Sequence, residues 1–150
     1  MGTSFTGYRG YGFWTRDARL ELWLRALVRQ IDKSNSTQQW LKDARGYWHL
    51  QSAGYFNGCI SPNLDKIVTS NIRCRLVQLI SEQAHNDLMA QEPNLSWAYL
   101  KSIDCLENFG PPLPKAAFIA VSEKWVKLFN PACAEESGDA WDRIQKLPPE

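Results

Sequence analysis

Tyr8-Arg9-Gly10-Tyr11-Gly12-Phe13-Trp14-Thr15-Arg16-Asp17-Ala18-Arg19-Leu20-Glu21-Leu22-Trp23-Leu24-Arg25-Ala26-Leu27-Val28-Arg29-Gln30-Ile31 is the stretch on which the fold turns. From Thr15 onward, Leu20, Trp23, Leu24, Leu27, Val28 and Ile31 recur at the spacing of one helical stripe. Arg19, Glu21, Arg25 and Arg29 fall on the other side. No later segment has a stronger pattern, so this helix is expected to be the spine of the core, with Trp23 and Leu27 near its centre. The glycine-aromatic run before it reads as an N-terminal arm over residues 1–14 that lies across the packed helices.

Working outward, the rest of the chain reads as helices joined by short turns. Ser36 and Gln39 make a capping box for a second helix with Trp40, Leu41, Ala44, Tyr47 and Trp48 on one face. Asn57-Gly58 is a turn without alternating strands beside it. Ser61-Pro62 suits the start of a short helix carrying Leu64, Ile67 and Val68. Ser70 caps a long helix whose expected inner face is Ile72, Leu76, Leu79, Ile80, Gln83, Ala84 and Leu88. Ser96 caps a fifth, with Trp97, Leu100, Ile103, Leu106 and Glu107, and Pro111-Pro112 end it. Pro114 opens a sixth with Phe118, Val121, Trp125, Leu128 and Phe129 inward. Residues 131–150 form a polar tail with room for one short helix from about Asp139 to Leu147. No segment alternates as a half-buried strand would. The expected fold is all-α: a single domain over residues 1–150, of five to six helices behind an aromatic arm.

The 150 residues suffice for one core. The seven tryptophans are expected mainly to knit helices together, with an aromatic recognition surface as the competing reading. Net charge is +1, which disfavours a general nucleic-acid or membrane-surface binder. The charge is uneven. Residues 1–60 hold eight Lys/Arg against four Asp/Glu, whereas residues 61–110 hold four against six. No run approaches the ~20 apolar residues of a membrane span. No basic-then-apolar leader opens the chain, so a cytoplasmic protein is expected, with Cys59, Cys74, Cys105 and Cys133 as thiols.

Chemistry is sparse. His49, His85 and the cysteines sit at no metal-ligand spacing, and no cofactor or metal is expected. Cys59 and Ser61 lie near His49 in sequence, but a helix cap and a small buried residue explain them as well. Gly7, Gly10 and Gly12 have neither the preceding strand nor the ending of a phosphate loop. The tyrosines and Arg9 interleaved with them suit base stacking and phosphate contact, but an arm that caps the core is the favoured reading. No catalytic residue is assigned, and the chain is expected not to be an enzyme.

The run Tyr8–Asp17, the amphipathic first helix and Gly58-Cys59-Ile60-Ser61-Pro62-Asn63-Leu64-Asp65 together resemble a group of small all-helical bacterial proteins that carry no known enzymatic signature. The resemblance covers residues 8–130. In size and lack of chemistry the chain is also similar in type to the immunity proteins of contact-dependent inhibition and other polymorphic toxin systems. That similarity implies a cytoplasmic protein that binds one cognate toxin domain, often a nuclease, and occludes its active site. A nuclease cleft is positive, so the expected contact residues are Glu82, Asp104, Glu107, Glu135 and Glu136. The alternatives are a small enzyme of unknown reaction and a nucleic-acid-binding adaptor using the Arg-rich first helix.

Overall fold

Helical periodicity does not reveal the first element of the chain. In the computed structural model, which describes residues 2–105 and 112–148, Thr3–Tyr8 is strand β1 and Tyr11–Arg16 is strand β2. They pair antiparallel from Thr3↔Arg16 to Tyr8↔Tyr11. Arg9 and Gly10 form the two-residue turn, with φ of 52° and 84°, the positive values a type I′ hairpin needs. Arg9 is held there by its N–H on Asp65 Oδ1 at 2.9 Å and by its guanidinium 5.0 Å from the Tyr8 ring centre. Strand β3, Gln145–Lys146, adds to Tyr11 and Gly12 on the other edge of β2. The expectation of an all-α fold is therefore overturned. Among the described residues, six helices accompany a three-stranded antiparallel sheet, and the arm is a hairpin.

The physical reason lies in what the strands turn inward. Ser4, Thr6, Tyr8, Phe13 and Thr15 share the buried face, and three of them are the small hydroxyl residues Ser4, Thr6 and Thr15. Phe5 and Trp14 stand on the outer face, edge to face at 5.2 Å. Alternation of apolar and polar residues was thus scrambled, and glycines at positions 7 and 12 thinned it further. Gly12 is required where it is: a Cβ there would lie 2.5 Å from the Phe5 ring and from the Thr6 carbonyl oxygen.

The helices follow. They are α1 Asp17–Ser34, α2 Gln39–Gln51, α3 Leu64–Ile67, α4 Asn71–Met89, α5 Trp97–Ser102 and α6 Lys115–Leu128. Helix α1 packs against α2, α4 and α6. Its Leu20, Trp23, Leu24 and Leu27 are fully buried, as the stripe predicts. Trp125 on α6 meets Trp23 and Trp48 edge-on, with ring centres 6.2 and 5.9 Å away. Its indole N–H donates to Ser81 Oγ at 2.9 Å, and that of Trp48 donates to the Pro62 carbonyl at 2.8 Å. These three tryptophans do knit the helices.

Several local expectations shift. The Ser70 and Ser96 caps form, accepting from the backbone N–H of Arg73 and Tyr99. The proposed Ser36–Gln39 box does not, since α2 starts after Gln38 with no side-chain cap. Helix α3 starts after Asn63, two residues beyond Pro62. On α4 the buried face is Cys74, Val77, Ile80, Ser81, Ala84 and Leu88. Ile72 and Leu79 are 78% and 51% exposed. The small polar Cys74 and Ser81 disguised the true stripe, because they bury against Phe129 and Trp125 through hydrogen bonds. The tail forms β3, not the expected helix, and buries Ile144. Leu106 and Glu107, expected on the fifth helix, lie outside the described residues. No helix among those described is long and apolar enough to cross a membrane.

Candidate functional site

Asp17 joins the hairpin to the rest. It is the first residue of α1, where a carboxylate meets the positive end of the helix. It is buried, and it accepts the Ser4 hydroxyl at 2.5 Å and the Gly58 N–H at 2.6 Å. Ser4 Oγ in turn accepts the Ile60 N–H at 3.1 Å. Ser4 on the inner face is thereby satisfied, and the sheet is fixed against α1 and the 57–61 connector. The Asn57-Gly58 turn read from sequence thus serves as the donor to Asp17, with Gly58 at φ 73°.

With the inner face held by polar contacts, the large aromatics are free to point out. Phe5 and Trp14 share the outer face with Arg16. Leu147 leans over Gly7 on the same side. Trp141 and Trp14 line one shallow groove with Arg19, Lys124 and Asp142. Trp14, Trp141 and Leu147 are 40%, 47% and 38% exposed. Beyond Arg16 and Arg19 lies a cavity of about 340 Å³ between the start of α1 and α6. Ala18, Leu113, Pro114, Ala117 and Phe118 give it apolar walls, and Asp17 and Glu21 also line it.

The tail supplies half of this face and is latched by Glu136. That carboxylate takes the Ile144 N–H at 2.7 Å and lies 3.4 Å from both the Lys124 and the Lys127 ammonium groups. Burial alone pushes the Glu136 carboxyl up, but the Ile144 N–H and the two lysines outweigh it and hold it below the ordinary carboxylate range. Glu135 pairs with Arg143 at 3.1 Å.

Comparison with family models, curated proteins and solved structures returns no match. The site must be read from its own geometry.

Of the expected acidic contact residues, the described ones stand on different elements. Glu135 and Glu136 serve the tail latch. Glu82 is exposed on α4. Asp104 is exposed after α5, and its carbonyl accepts from Arg25 at 2.7 Å. Glu107 lies outside the described residues. The Asp104 neighbourhood is mixed in charge, since Arg25, Arg29, Asp32 and His49 line the same small cleft of about 90 Å³.

The other chemical candidates are placed as follows. His85 Nδ1 lies 2.6 Å from Ser122 Oγ, but that serine is fully buried and donates to the Ile119 carbonyl at 3.0 Å. Cys59 is exposed, and Ser61 engages Gln51 Oε1 through its backbone N–H. Tyr99 beside Asp87 has its phenol pushed up to about 12, first by burial and then by that carboxylate. Arg9 of the glycine run is committed to the hairpin turn. Among the described residues, no group of three His, Cys, Asp or Glu side chains converges as a metal site would require. The sequence analysis did not place Phe5 and Trp14 on an outer sheet face. The signal was there in Phe5 and Trp14 flanking a two-residue turn, but it becomes readable only once the strand register is known.

Proposed function

We propose that this chain is a binding protein of the immunity type, which neutralises a cognate bacterial toxin domain in the cytoplasm by covering its active site. One observation carries the reading: Trp14, Trp141 and Leu147 lie exposed beside the half-buried Phe5, with Arg16 and Arg19 next to them. Tryptophan and arginine are the residues that most often carry interface energy, and they do so where apolar rings can be desolvated together. Phe5 and Trp14 also sit on a rigid hairpin rather than a loop, which lowers the ordering cost of binding. Function by binding needs no catalytic group, and the toxin, whether nuclease or not, supplies the chemistry being blocked.

The test is co-expression with the toxin domain encoded directly upstream of this chain's gene. Wild-type protein should restore growth, and Trp14→Ala combined with Trp141→Ala should abolish protection while leaving the circular dichroism spectrum and melting curve in place. Failure of the wild type to protect sinks the reading. If protection survives the tryptophan changes but is lost on Glu82→Lys with Asp104→Lys, the acidic residues carry the contact instead.

A further inference from the structure

We propose that the cavity beside Arg16 and Arg19 is an anchor pocket for a partner segment that presents one large apolar side chain flanked by carboxylates. This rests on the protein-binding reading and names the chemistry of the partner. The outer face of the hairpin runs from Leu147 and Phe5 through Trp14 to Arg16. Arg16 and Arg19 both line the cavity, and Arg19 also lines the Trp14–Trp141 groove. The aromatic face, the two guanidinium groups and the pocket therefore form one continuous strip.

The distribution of charge within the strip selects the occupant. Among the described residues, neither Arg16 nor Arg19 has an ion pair or a side-chain hydrogen bond, so both are available to an anion. The rest of the lining is apolar at Ala18, Leu113, Pro114, Ala117 and Phe118, beside Glu21 and the Asp17 carboxylate that Ser4 and Gly58 fix. A ligand that fits must be uncharged at its tip and anionic at its shoulders. A leucine, phenylalanine or tryptophan between aspartates or glutamates has that form, and the cavity of about 340 Å³ has room for it. A nucleic-acid strand does not fit, because it carries a charge at every phosphate and would press some of them toward Asp17, Glu21 and Asp142. Arginine also favours the carboxylate, which it can grip through two parallel hydrogen bonds.

The probe is a random peptide library displayed on phage, selected against the full chain. Enrichment of a large apolar residue bracketed by Asp or Glu is expected. Synthetic versions of the selected peptides should shift the Arg16 and Arg19 Nε–H and the Trp14 indole signals in a two-dimensional NMR spectrum. Ala117→Trp, which fills the pocket, and Arg16→Glu with Arg19→Glu should each weaken peptide binding by about tenfold or more. The arginine pair is superficial, so it serves even if Ala117→Trp perturbs folding. Selection of basic peptides, selection of none, or peptide binding indifferent to the arginine changes overturns the proposal. So does salt-sensitive binding of a single-stranded oligonucleotide to the same signals in place of peptide. Those results leave toxin protection by the wild type untouched, so the two readings fail separately.

Discussion

Helix α1 and the hairpin before it are neighbours in sequence and opposites in construction. Helix α1 buries what a core is expected to bury: Leu20, Trp23, Leu24 and Leu27 inward. The hairpin buries Ser4, Thr6 and Thr15 beside Tyr8 and Phe13, and turns Phe5 and Trp14 out. The helix is held mainly by removal of apolar area from water. The hairpin leans on a buried carboxylate, Asp17, that pairs its hydroxyl and the connector N–H. A sheet anchored in this way leaves its largest ring, Trp14, 40% exposed.

The sharpest way to break the contrast is to empty the helix. Leu27→Ala should cost about 2–5 kcal/mol in a denaturant titration, the range for a fully buried leucine. A loss below ~1 kcal/mol would mean that α1 is not the spine. Next comes the polar anchor. Asp17→Ala leaves the Ser4 hydroxyl and Gly58 N–H without their acceptor and should cost about 1–3 kcal/mol, with faster amide exchange in β1. An unchanged exchange pattern would show that the hairpin does not depend on this carboxylate.

A smaller effect has the opposite sign. Thr6 is fully buried, and its hydroxyl has no hydrogen-bond partner among the described residues. Thr6→Val keeps the shape and removes the unsatisfied group, so it should stabilise by about 1 kcal/mol in the same titration. The tail latch gives a pH signature. Glu136 has a depressed carboxyl, so its contribution is present above the ordinary carboxylate range near ~4.3 and is lost as pH falls through its lower folded value. Trp141 fluorescence should shift in that acid window, ahead of global unfolding, and the shift should vanish in Glu136→Gln. The least effect of all is expected from Trp14→Ser. Stability should change by no more than ~0.5 kcal/mol because the ring is already part exposed. A large destabilisation there would return Trp14 to the core and remove the basis of the proposed surface.

The legibility of the chain followed the same division. Where side chains bury by apolar area, as at Leu27 on α1, Trp48 on α2 and Val121 on α6, the 3.6-residue period placed helix and buried face together. On α4 the helix was found but its inner face was misjudged, because Cys74 and Ser81 bury through hydrogen bonds to other elements. In the hairpin even the element was missed. The expected acidic contact residues were chosen by segment charge, whereas Glu136 spends its charge on Lys124 and Lys127.

By itself the sequence determined the helices, the caps at Ser70 and Ser96, and the tryptophan-lined core. These depend on local propensity and on a period that the chain carries in one dimension. Only the tertiary structure decided which tryptophans face out, that Asp17 holds a polar sheet face, and that the tail joins the sheet through Gln145 and Lys146. Each of those rests on a partner far away in sequence, such as Gly58 for Asp17 or Gly12 for Gln145. A hydrogen bond or a strand pairing between distant residues leaves no period in the chain, so it becomes visible only when the fold brings its two ends together.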